Sequence, residues 1–209
     1  IGPIAMIVGF AGWILCLGSA DWSDTKAVIQ SLGENVNGIK PFAMVGTLGL
    51  LLGVAGLGGI KKSMEGGPGH SIAGLGFLLM VVGIAGSVIE TGLTLGSGEA
   101  SSTAAKAAAA GAAESAASAS AVASSLYAAS QSVGASMTAL AMLGFGVIGC
   151  GLLIQKNFHT VIGALIIVAG IMGLVVASVD YSSQLMGIPY VAYAVLTLAM
   201  GIITVRSNS

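Results

Sequence analysis

Charge is what this chain has least of. Seven Lys and Arg and eight Asp and Glu make up 7% of its 209 residues and leave a formal net charge of -1 at pH 7, where an ordinary soluble domain is about 25% charged. A chain with so few scattered bases has no patch to neutralise a phosphate backbone, which excludes nucleic acid as a partner. Cysteine and histidine are scarce as well, at two each. Cys16 and Cys150 lie in separate apolar segments without a CxxC or a nearby His, and read as small apolar packing residues. No Ser-His-Asp set, HExxH or GxxxxGK[ST] occurs. Neither an enzyme nor a cofactor or metal site is expected.

Apolar residues fill the space that charge leaves. The chain is 56% hydrophobic, carries 33 glycines and has a mean hydropathy of +0.99. A helix crosses roughly 30 Å of hydrocarbon with about 20 mostly apolar residues. Six such segments are predicted, at about 2–20, 41–60, 71–95, 135–155, 160–179 and 188–205. The expected fold is an all-α integral membrane protein, and the lipid bilayer is its first partner.

Those segments repeat. Gly2, Gly9 and Gly12 in the first occupy the same relative positions as Gly76, Gly83 and Gly86 in the third and Gly163, Gly170 and Gly173 in the fifth. Spacings of seven and three lie on one side of a helix, so each segment carries a stripe free of side chains along which another helix can approach closely. Met6 and Met80 also match, as core-packing residues. The even-numbered segments resemble one another too: Gly49, Gly56 and Lys61 align without gaps on Gly144, Gly151 and Lys156, and Gly201 precedes Arg206 by the same interval. The expectation is a single membrane domain over 1–209, built as three tandem hairpins at about 1–62, 71–156 and 160–206. Two crossings per unit make this a parallel internal repeat.

Loop charges suggest the orientation. Lys61, Lys62, Lys156 and Arg206 fall at one side, and Asp21, Asp24, Glu34, Glu99, Glu114 and Asp180 at the other, with Lys26, Lys40 and Lys106. The basic side is expected to be cytoplasmic, with both termini inside a cell membrane and the two longer loops outside. Because numbering starts at Ile1, a few residues or a cleaved leader are expected to precede it.

In the first longer loop, Asp21 or Ser23 can cap a helix, Ile29, Leu32 and Val36 keep helical spacing, and Gly38 before Lys40-Pro41 stops it. A short amphipathic helix lying at the interface, anchored by Trp22, is predicted. The second, 97–134, is dominated by Ala and Ser and is expected to be helical. Such helices have little apolar area to bury and lean on something: their own partner helix, as extensions of the third and fourth spans, or a neighbouring copy or subunit. Ala109 and Ala116, seven residues apart, would share one face. The GGPG at 66–69 reads as a tight turn between spans.

Glu90 is the one acid inside an apolar segment, which makes it the candidate ion or proton site. Its place near the end of the third span favours a boundary role in which the carboxylate reaches water or headgroups. His70 and His159 each precede an odd-numbered span in a short basic loop; structural roles are favoured, with a metal pair open if the loops adjoin. The Pro-acid-base signature of mitochondrial carriers, the paired Asn-Pro-Ala of aquaporins and the Cys-Cys-Gly of tetraspanins are all missing. The leading expectation is a noncatalytic accessory or scaffold subunit of a larger membrane complex, partnered by other subunits or copies of itself. The alternative is a small transporter or channel using Glu90, with Thr91, Thr94, Thr138 and Thr197 as the remaining polar groups of a path.

Overall fold

The computed structural model describes residues 1–18, 20–21, 24–156 and 158–207. Those residues form six α-helices: α1 (Gly2–Leu17), α2 (Thr25–Ser63), α3 (His70–Ala109), α4 (Ala113–Gln155), α5 (Thr160–Val179) and α6 (Gly187–Ser207), the last preceded by a 3₁₀ turn at Gln184–Met186. Five of them, all but α1, are long and apolar enough to cross a membrane. Leu48, Leu52, Leu78, Val168, Val175 and Val195 are exposed on their flanks, as expected where hydrocarbon is the solvent. The first helix is shorter than its predicted segment. Its 16 residues reach about 24 Å, and it ends at Gly18, whose φ of 63° suits glycine.

Three helices outrun any bilayer. At 39, 40 and 43 residues, α2, α3 and α4 reach about 60 Å, twice the hydrocarbon thickness. The Ala/Ser segment is the outer part of α3 and α4, two antiparallel arms that pack on each other and turn at Gly111, φ 76°. That turn separates Ala109 from Ala116, so the single face expected of them does not exist.

The separate interfacial helix does not form either. Residues 25–63 are one helix with Pro41 inside it. A mid-helix proline costs on the order of 3 kcal/mol, but Val28, Leu32, Val36, Ile39 and Ala43 make one continuous buried stripe, and its packing against α3 outweighs the missing hydrogen bond. The cap is Asp24, whose carboxylate accepts from Lys26 N at 2.9 Å and Ala27 N at 3.3 Å, in place of Asp21; Ser23 and the anchoring Trp22 lie outside the described residues. A Lys40–Glu99 ion pair ties α2 to α3 where the two leave the apolar zone. Leu17, Val28, Ile29, Leu32, Ile39, Ala123 and Tyr127 form a second core there.

All nine aligned glycines face an adjoining helix with no room for a Cβ. One added to Gly2 would sit 2.6 Å from Gly53 N, one on Gly83 2.6 Å from Ala141 N, and one on Gly170 2.6 Å from Gly146 Cα. Gly9, Gly83 and Gly170 meet equivalent pairs, Gly46 with Phe42, Ala141 with Met137, and Gly146 with Met142; Gly12, Gly86 and Gly173 rest on the side chains of those same Phe42, Met137 and Met142. Gly76 and Gly163 face Gly144 and Leu153. In the first two hairpins the stripe faces the hairpin's own second helix. In the third it faces α4, on a surface five residues, or about 140°, round from the one α3 uses. α6 meets α5, α1 and α2 more lightly, and Gly201, the counterpart of Gly151, has nothing within 4 Å of a Cβ. The main core gathers Met80, Phe145, Ile148, Leu152, Ile166 and Met200, all nearly fully buried.

Candidate functional site

The buried face of α3 runs Gly83, Ser87, Glu90, Thr94 and Ser97, steps of three and four that hold one side of a helix. Glu90 therefore points inward, along the glycine stripe and beyond it, and is half-buried. The neighbouring hydroxyls are spent locally: Ser87 Oγ donates to Gly83 O at 3.3 Å, Thr91 Oγ1 to Ser87 O at 2.9 Å and Thr94 Oγ1 to Glu90 O at 3.0 Å. Ser97 Oγ donates across to Ala123 O on α4 at 2.8 Å.

The carboxylate is treated differently. Tyr181, in the connection between α5 and α6, donates its hydroxyl to Glu90 Oε1 at 2.6 Å, and among the described residues it is the carboxylate's one hydrogen-bond donor. Gly134 on α4 makes this possible, since a Cβ there would sit 2.5 Å from both Glu90 Oε1 and Tyr181 Cε1. Burial, reinforced by Tyr190 and Glu90, pushes the Tyr181 phenol well above its ordinary value, so it stays protonated and stays a donor.

Glu90 borders a cavity of about 540 Å³ at the end of the bundle from which α3 and α4 project. Its walls come from α1 (Phe10, Trp13), α2 (Leu32, Thr47), α3 (Glu90, Thr91), α4 (Tyr127, Gln131), the connection at 181–186 and α6 (Tyr190). The size lies within the range of small-molecule sites, about 300–1,000 Å³. Among the described residues no Lys, Arg or His lines it. At its rim Phe10 and Tyr190 meet with ring centroids 5.3 Å apart, and the Tyr190 hydroxyl shares a hydrogen bond with Thr138 at 2.9 Å.

Deeper in the bundle the open space runs out, although Ser87, Thr138 and the Tyr193 hydroxyl are buried there. Behind Tyr190 a void of only about 10 Å³ touches Met80, Met142 and Tyr193, and Phe145 packs edge-on to Tyr193 with centroids 5.0 Å apart. Thr197 is buried and donates to its own helix at Tyr193 O, 2.6 Å away. Of the five polar groups expected to line a path, Glu90, Thr91 and Thr94 border the cavity, Thr138 stands behind Tyr190, and Thr197 lies outside it.

The opposite end holds both histidines. His70 is the first residue of α3, with Nδ1 buried and unpartnered; His159 caps α5, its Nδ1 accepting from Val161 N at 3.3 Å. The turn at 66–69 is seated on α4, where Gly69 N donates to Gln155 Oε1 at 3.0 Å. Among the described residues no three His, Cys, Asp or Glu side chains gather as a metal site.

Sequence depth alone placed Glu90 at a boundary and missed the cavity. Its angular position was the available signal, four residues after Gly86 and seven after Gly83. Tyr181 and Gly134 carried none, because only the packed bundle brings them to Glu90. No protein-family model matches this chain, and neither does any curated protein or solved structure.

Proposed function

We propose that this chain is a noncatalytic accessory or scaffold subunit of a larger membrane complex, and that the arms of α3 and α4 are the surface it offers to its partners. One observation carries the reading. The arms extend well beyond the apolar zone, and at their tip Ala105, Ala108, Ala109, Ala113, Ala117 and Ser118 are all exposed. Two Ala-rich helices gain little from each other, since small side chains bury little area. The same small side chains let a third helix approach closely. The glycine stripes serve the inside of the bundle in this reading, holding α1 on α2 and both α3 and α5 on α4. The bundle crosses the cell membrane six times with both termini cytoplasmic, α1 included, and the arms stand outside.

A test places bulk on the tip. Ala109→Trp with Ala117→Trp alters two exposed positions, so the purified chain should melt as wild type. Membranes of the native host, solubilised gently, should hold the wild-type chain in an assembly larger than its own mass and lose the double variant from it. Wild type migrating at its own mass would overturn the reading.

The transporter reading rests on the Glu90 cavity. The close packing of Met80, Met142, Phe145 and Tyr193 behind it, which leaves a void of only about 10 Å³, weighs against a through-path, and Glu90→Gln in reconstituted vesicles is its test: uptake that this change abolishes would favour it over the subunit.

A further inference from the structure

The cavity and its single acid carry a ligand chemistry that a scaffold role does not use. We infer that the cavity bordered by Glu90 is a binding site for a membrane-partitioning organic amine, an aromatic or aliphatic body bearing one protonated nitrogen.

Three observations converge. The first is shape: about 540 Å³ takes a molecule far larger than an ion or a water cluster. The second is charge. Among the described residues Glu90 is the one acid in the lining and no base accompanies it, while Lys40 on α2 is paired with Glu99. A carboxylate facing an apolar cavity is costly unless a cation joins it or a proton neutralises it, and a protonated amine supplies both the cation and the N–H. Tyr181 occupies Oε1 and leaves Oε2 to accept from a ligand N–H. The third is the wall chemistry. Phe10, Trp13, Tyr127 and Tyr181 contribute aromatic rings, and aromatic faces attract ammonium groups best in a desolvated site. An anionic ligand would meet Glu90 with no counter-charge. A neutral apolar one would leave Glu90 Oε2 without a donor.

Access fits the same ligand. α1 and α6, which flank the cavity, contact each other sparsely and meet at Phe10 and Tyr190. An amine that dissolves in lipid reaches the cavity sideways between them, with its charged end at the level of the interface.

The probe pair is 4-phenylbutylamine and 4-phenylbutanol, alike in body and different in charge at pH 7. The protein is held in lipid nanodiscs as Trp22→Phe, so that Trp13 in the cavity wall is the sole tryptophan and reports binding by its fluorescence. The amine is expected to give a saturable change with at least tenfold tighter binding than the alcohol, and Glu90→Gln to erase that preference. Thr91→Phe, which sets a ring beside Glu90 and narrows the cavity while keeping the acid, should weaken amine binding at least tenfold, and it decides the matter if Glu90→Gln fails to fold. Equal affinity for amine and alcohol, an amine preference that survives Glu90→Gln, or wild-type binding by Thr91→Phe would each overturn the assignment. None of these outcomes depends on whether the arms bind a partner.

Discussion

Gly170 on α5 and Gly146 on α4 lie so close that a Cβ on the first would stand 2.6 Å from the Cα of the second. No rotamer relieves such an encounter, because both sides of it are backbone. The helices must separate, and α4 cannot move without disturbing α3 on its other face.

Gly170→Leu is therefore expected to destabilise the bundle in detergent by at least the 1–3 kcal/mol or so typical of overpacking. Gly201→Leu is the internal control: it is the counterpart of Gly151 in the repeat of the even segments, yet a Cβ there meets nothing within 4 Å. Melting curves that fall for Gly170→Leu and hold for Gly201→Leu are the predicted result. Equal behaviour would mean that α5 does not rest on α4 as described.

Pro41 offers a test of the continuous second helix. If Lys40-Pro41 began a new helix, proline would sit where its missing N–H costs nothing, and replacing it would gain little. Inside one helix from Thr25 to Ser63, Pro41→Ala restores a donor and relieves a ring clash. Its exposed position means that no core packing is lost. The melting temperature should rise, and a fall would argue for two helices.

Much of this fold was legible because membrane helices leave a strong signal. Apolar length located the helices, and the nine glycines marked where helices touch. What they touch was not legible: a glycine stripe states that something comes close and not which neighbour, so the third stripe's turn toward α4 waited on the three-dimensional packing. Pro41 and Gly38 misled for a related reason. Local stop signals were read without the long-range stripe from Val28 to Ala43 that overrides them. The cavity was least legible, since Glu90 is local to α3 while Gly134, Tyr181 and Phe10 come from three other parts of the chain.

The hydrogen bond from Tyr181 should matter to stability. Tyr181→Phe leaves the Glu90 carboxyl facing the cavity without its donor, and leaving a part-buried acceptor unsatisfied costs about 1–3 kcal/mol. The melting temperature should drop in Tyr181→Phe and recover in Tyr181→Phe with Glu90→Leu, where no polar group is left unpaired. A single variant as stable as wild type would show that water already serves Glu90.

Lys40 and Glu99 make a pH-dependent link between α2 and α3. The hydrogen bond and charge of Lys40 hold the Glu99 carboxyl below its ordinary value, so its contribution is present above the unfolded carboxylate range and fades as pH falls through the lowered folded value. Glu99→Gln should be slightly less stable than wild type at neutral pH in low salt, the pair being exposed and screened. The two proteins should converge as the medium is acidified. A gap that persists in acid would assign the effect to packing.

Topology decides how α1 sits. At about 24 Å its 16 residues fall short of a full crossing, yet its glycines bind it to α2 from Gly2 to Gly12, and α2 is one of the five helices able to span. On the proposed six-crossing reading, a helix held in that register is carried through the membrane with its partner, and local thinning or tilt absorbs the shortfall at modest cost. With Cys16 and Cys150 replaced by alanine, single cysteines at Ile1, Ser63, Ser118 and Ser183 are to be tested in intact cells with an impermeant thiol reagent. Labelling is expected at Ser118→Cys and Ser183→Cys, and none at Ser63→Cys or Ile1→Cys. Labelling at Ile1→Cys as well would keep α1 in the outer leaflet and reduce the count to five crossings, whereas labelling at Ser63→Cys without Ser118→Cys would reverse the orientation.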